Sequence, residues 1–172
     1  NLMKKNNLIR KKSSEFFLHP MLKIIVEYDE QVQTGIENVH PFQINNFFPD
    51  FVIGEASSGE QFIKYATFKS VELSKHVSKY WKNMTIYHST FSIGKGNIIK
   101  IPFFNKFIYS YYISKKEIEK IKFSLTQMCE IAFASNAKNI FIIDKKLTKL
   151  SKENYIHKIK NIKNLDSINL SS

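Results

Sequence analysis

EFFLHPMLKIIVEYDEQ, residues 15–31, is the stretch that decides the fold. Phe16 and Phe17 open it and His19-Pro20 follows. Leu22-Lys23-Ile24-Ile25-Val26-Glu27-Tyr28 then runs rich in β-branched and aromatic residues. Such side chains suit a pleated, half-buried surface, so a strand is predicted over about 22–29. Pro20 lacks an amide hydrogen, which lets it start a strand but not sit inside a central one. It also pushes His19 toward an extended backbone. His19 therefore stands at a strand mouth, where it either caps the strand with an ordinary hydrogen bond or helps to build a site.

On the N-terminal side, residues 1–14 are polar except for Leu2, Met3, Leu8 and Ile9, and predict a short helix with a loop at Ser13-Ser14. On the C-terminal side, residues 31–46 hold Gly35, Pro41 and several Asn and Gln, a loop composition with room for a short strand at Phe42-Gln43-Ile44. Phe47 to Ile53 reads as a short apolar strand, with Pro49 marking an edge or a bulge and Gly54 ending it. Ser57-Ser58-Gly59-Glu60 matches a capping box. A helix is expected from there to about Lys82, with Phe62, Ala66, Leu73, Val77 and Trp81 as its buried stripe and Ser70 as an interruption.

Met84 to Ile93 alternates as a half-buried strand does. Met84, Ile86, His88, Thr90 and Ser92 share one face; Thr85, Tyr87, Ser89, Phe91 and Ile93 share the other. Gly94-Lys95-Gly96-Asn97 reads as a tight turn with a strand returning to Ile101, a β-hairpin. Phe107 to Ile113 is a further aromatic strand. Ser114 and Glu117 form a second capping box, and Ile118, Ile121, Leu125, Met128 and Ala132 mark the helix behind it. Cys129 lies beside that stripe as a small buried apolar residue. Asn136 stands where a left-handed cap residue belongs. Asn139 to Ile143 is a short buried strand, Ser151 caps a last helix to about Lys160 through Ile156 and Ile159, and the tail is extended. This order predicts an α+β domain, an antiparallel sheet flanked by helices.

At 172 residues the chain is one ordinary domain, long enough to bury roughly 70% of its unfolded surface. No apolar run approaches the ~20 residues that span a bilayer, and the Lys- and Asn-rich start has no signal-peptide core, so a cytoplasmic location is expected. A single cysteine rules out an internal disulfide framework. The net charge is +11, yet Arg10 is the only arginine. Arginine is the residue favoured for bidentate contacts to phosphate and guanine. Lys, Asn, Ile, Phe and Tyr all have AT-rich codons, so a solvated basic surface is preferred over a polyanion partner. The alternative is a Lys-rich α+β module that grips single-stranded nucleic acid through Tyr109, Tyr111 and Tyr112. Asn1 at the start and the extended Leu170-Ser171-Ser172 at the end suggest a piece of a longer protein.

Gly94-Lys95-Gly96 does not lie between a strand and a helix, so it is no dinucleotide fingerprint. The five histidines, at 19, 40, 76, 88 and 157, include no pair at the i, i+4 spacing of a helical metal site. No metal ligand or catalytic residue is assigned. His76 and His157 fall among lysines on predicted helices and are expected to face solvent. His88 is open to three readings: core, surface or site.

The order and local texture of the chain resemble the glucose–methanol–choline oxidoreductase family, flavin-dependent alcohol oxidases and dehydrogenases. FFLHPMLKIIVEYDE resembles the family segment that leaves the flavin domain near Asp-His-Pro, with Leu18 where Asp is common. FFPDFVIG, MTIYHSTF, the GKG segment and AFASNAKNIFI follow in family order, with Asn136 where the family often has Gly. The similarity covers roughly residues 2–172. It implies that residues 1–14 lead in from a flavin domain of the same polypeptide. It implies that residues 15–172 form a six-stranded-type antiparallel substrate domain walling a flavin. It also implies FAD as cofactor and a small-molecule alcohol as substrate, oxidised at CH–OH with hydride passing to the flavin. The family's FAD motif and catalytic histidine match no residue here. By the resemblance, His19 and Met21 fall near flavin or substrate, and Tyr87 and His88 join them as pocket wall. Met21 replaces an acidic residue that choline-oxidising members use, which argues against a quaternary ammonium substrate.

Overall fold

The computed structural model describes residues 13–32, 43–56, 58–68, 70–101, 106–143, 148–162 and 170–171. The expected helix within residues 1–12 lies outside them, as does His40.

Two long extended stretches organise the chain. The first is β1 (Ser13–Leu18) and β2 (Met21–Glu27), separated only by His19-Pro20. The second is β5 (Met84–Phe91) and β6 (Ile93–Lys100), separated only by Ser92. β1 pairs with β6 and β2 with β5, both antiparallel. The two stretches thus form one ribbon that passes from a small sheet into a large one. Pro20 has no amide to give a ladder, which suits it to the break. Its carbonyl accepts the Phe91 amide at 3.2 Å, and the β1–β6 register slips between Phe17 and Leu18. An extra residue of this kind bends a ribbon and increases its twist.

The large sheet has the order β3 (Gln43–Ile44), β4 (Phe51–Ala56), β5, β2, β8 (Asn139–Ile142), β9 (Lys149–Leu150), with β10 (Leu170–Ser171) beside the start of β2. The small sheet has the order β1, β6, β7 (Phe107–Tyr112). All pairings are antiparallel. Helices cover both faces of the large sheet. Ile25, Met84, Ile86 and Phe141 pack against Ile63 of α1 (Glu60–Thr67) and Leu73 and Val77 of α2 (Val71–Tyr80). Leu22, Ile24, Val26, Phe91 and Ile140 pack against Ile121, Leu125 and Met128 of α3 (Lys115–Ala134) and Ile159 of α4 (Tyr155–Lys160). The protein is α+β, with antiparallel sheets flanked by helices.

Several expectations are corrected. There is no hairpin at Gly94–Asn97: β6 runs straight through it and turns back only after Lys100, pairing with β7. Gly96 is needed for close approach instead. A Cβ there would stand 2.2 Å from Cζ of Phe16, whose ring lies across the strand from β1. Gly94 has φ +77°, a conformation that favours glycine. The expected helix to Lys82 is two helices, because Ser70 is itself a cap: its side chain accepts the Leu73 amide at 3.2 Å. Phe62 is exposed and Ile63 takes the inward position. Ser57 of the expected capping box lies outside the described residues; Gly59 precedes α1 without a side-chain bond, and Ser58 is turned inward to Thr85 and the Ile86 amide. Ser13 and Ser14 begin β1 rather than forming a loop. Residues 46–50 form a turn, with a cis Phe48–Pro49 bond, before β4. α4 starts at Tyr155, capped at Asn154 rather than Ser151, and Ile156 is exposed.

Other expectations agree with the structure. The Ser114–Glu117 capping box is present, and Asn136 has φ 64°. Cys129 is buried, and burial pushes its thiol up to about 12.

Candidate functional site

The β2–β5 register sorts the sequence-predicted site residues. Lys23 lies opposite His88 and Met21 opposite Thr90, so Met21, Lys23, His88 and Thr90 share one face. Tyr87 lies opposite Ile24 and points to the other face. His19 is exposed in the link between the two sheets. The structure therefore brings Met21 and His88 to one side and leaves Tyr87 and His19 apart from them.

His88 is half-buried on the strand between β2 and β4, opposite Gly54 on its second neighbour. Its Nδ1 is buried and meets no hydrogen-bond partner among the described residues. Burial, and then the charge of Lys23, lower its pKa, so the imidazole is neutral at pH 7. A neutral imidazole is both a donor and an acceptor of hydrogen bonds. Tyr87 is engaged on its own side: its hydroxyl lies 2.9 Å from that of Tyr28, which lies 3.1 Å from Ser135 Oγ. Burial and this hydrogen bond push the Tyr87 phenol well above its ordinary value.

A second constellation lies on the α2 side of the sheet. Glu27 is buried at the end of β2. Its Oε1 is 2.6 Å from His76 Nε2, and its Oε2 accepts from Asn139 Nδ2 at 2.7 Å. A buried carboxylate needs such partners to offset its desolvation. His76 is thus half-buried rather than solvent-facing, with its ring 4.8 Å from that of Tyr80. A carboxylate only accepts, so the hydrogen in this bond is on His76 Nε2. Glu27, His76 and Asn139 line a cleft of about 370 Å³ with Ser70, Glu72, Leu73, Phe141 and Lys149. Two signals in the sequence pointed here. Glu27 closes an apolar strand as a charge on an inward position, and His76 stands three residues after Leu73 and one before Val77, on the buried stripe. His157, by contrast, is exposed as expected.

Among the described residues, no group of three or more His, Cys, Asp or Glu side chains is placed to hold a metal ion. A dinucleotide pyrophosphate needs a glycine-rich turn between a strand and a helix N-terminus. Gly94 and Gly96 instead lie within β6, followed by another strand, and the Phe16 ring occupies the space over Gly96. Gly94 and Gly96 therefore do not supply that turn for FAD. No helix among them is long and apolar enough to cross a membrane. The chain matches no known protein-family description and no curated protein.

Proposed function

We propose that this chain is the substrate-binding part of an FAD-dependent oxidoreductase that acts on the CH–OH group of an alcohol. The flavin is then held by residues other than those described. The observation that carries the reading is His88: a neutral imidazole on a central strand, its buried Nδ1 unengaged among the described residues. Such a group suits an alcohol hydroxyl, which can donate to one imidazole nitrogen and position the adjacent carbon. Met21, a thioether on the same face, suits an uncharged substrate better than a quaternary ammonium. The antiparallel sheet with helices and the resemblance in chain order support the same reading.

The test is an NMR titration of the chain with a series of primary and secondary alcohols. His88 ring signals are expected to shift saturably, and His88→Phe is expected to abolish the response while the amide spectrum stays folded. Alcohols that leave the His88 signals unmoved refute the role. FAD added to the same chain is expected to keep the spectrum of free flavin; tight binding contradicts the division of labour.

A further inference from the structure

All six residues of β7 are exposed. Tyr109, Tyr111 and Tyr112 are 68%, 62% and 69% exposed, and Phe107, Ile108 and the neighbouring Ile99 are also open. At about 200 Å² for a large side chain, these six leave roughly 340 Å² on each face of the strand: Phe107, Tyr109 and Tyr111 on one, Ile108, Tyr112 and the cross-strand Ile99 on the other. Scattered surface hydrophobics need no explanation, but apolar side chains open on both faces of one edge strand are what an added strand would flank.

Among the described residues, one edge of the β7 backbone has no strand beside it. In the sheet that the described residues form, β7 stands last, paired on one side to β6. The Ile101 amide donates to the Lys106 carbonyl at 3.1 Å. In an antiparallel ladder successive residues turn their amide and carbonyl to alternate sides. Lys106, Ile108, Ser110 and Tyr112 therefore face β6, while Phe107, Tyr109 and Tyr111 turn their N–H and C=O groups to the free edge. Edge strands are usually protected by charges, prolines or bulges. Residues 107–112 contain no charge and no proline, and their register is unbroken.

The charges stand at the two ends. Lys106 precedes the strand, Lys115 and Lys116 follow it, and Lys95 lies opposite Tyr112; all four are exposed. A second copy docked antiparallel about Tyr109 would set Lys106 of each copy against Tyr112 of the other, close to its Lys115. Both chains would also carry +11. Like charges placed so oppose association. We propose that β7 takes up an extended segment of another polypeptide as an added antiparallel strand, apolar in its middle and acidic at its ends.

The probe is a fluorescent synthetic peptide of alternating valine and threonine with paired glutamates at each end. Saturable binding is expected, with the largest amide shifts at Phe107, Tyr109 and Tyr111. N-methylation of alternate peptide amides is expected to abolish it, because the bond is to backbone. Lysines in place of the glutamates, or Tyr109→Lys with Tyr111→Lys in the protein, are expected to weaken it about tenfold or more, some 1.4 kcal/mol. Both tyrosines project into solvent, so the double variant keeps its fold. Three results overturn the proposal: no binding, equal binding by the N-methylated peptide, or β7 shifts that follow protein concentration alone, which would mean a second copy. An oligo-dT strand that binds β7 at low salt where the peptide does not would also overturn it.

Discussion

Gly96→Ala tests the reading of β6 most directly. The added Cβ would stand 2.2 Å from Cζ, 2.4 Å from Cε1 and 2.7 Å from Cε2 of Phe16. Carbon atoms in good contact are about 3.5–4.0 Å apart, so the ring must leave. It can leave only by rotating off the strand, which forfeits its burial. Phe16 is half-buried; about half of a ~200 Å² side chain, at ~25 cal/mol per Å², sets a ceiling near 2.5 kcal/mol. We expect Gly96→Ala to cost about 1–2.5 kcal/mol, within the usual range for overpacking. In a Phe16→Ala background the same change is expected to be neutral or to gain a few tenths, because alanine orders more cheaply than glycine in a strand. Urea denaturation of the four proteins closes a double-mutant cycle, with a coupling of about 1–2 kcal/mol expected between Phe16 and Gly96. An equal cost in both backgrounds would refute the reasoning. It would mean that Gly96 is needed for its own backbone conformation, as the glycine of a turn is.

Three further outcomes are expected. Cys129 has its thiol raised to about 12 by burial, so the folded state holds its proton where the unfolded chain loses it. Its contribution to stability is therefore complete below the ordinary thiol value and is lost as pH rises toward 12; Cys129→Ala should flatten that alkaline slope in a denaturation series. Glu27→Ala strips partners from His76 Nε2 and Asn139 Nδ2 and should cost about 1–3 kcal/mol by urea denaturation; no loss would show that the cleft is not held by this carboxylate. Ser124 has a buried hydroxyl without a hydrogen-bond partner among the described residues, so Ser124→Ala should be neutral or stabilising by up to about 1 kcal/mol; a clear loss of thermal midpoint would contradict this.

Much of the fold was legible because local chemistry decides it. The capping box at Ser114 and Glu117, the left-handed Asn136 and the apolar stripe of α3 act over a few residues, and each stands in the structure as read. The β-branched run after Pro20 likewise gave a strand, and the two faces of β5 follow from a period of two alone. Sequence also placed Cys129 in the core beside Met128.

Pairing was not legible. A glycine reads the same whether it turns the chain or makes room for a ring, and only the arrival of Phe16 from residues far upstream separates the two at Gly96. Ser70 reads as an interruption in the stripe of one long helix, yet it caps a second helix, and Ser58, inside a segment that reads as a capping box, bonds to β5. The Glu27–His76–Asn139 cluster joins side chains 49 and 112 residues apart, which no local pattern encodes. By itself, the sequence determined the strands β2 and β5 and the helix α3 with its caps, because propensity, capping and periodicity are short-range. Only the tertiary structure decided which strands meet, which histidine is held and which strand stands at a sheet edge among the described residues, because those depend on long-range packing and on where buried charges find partners.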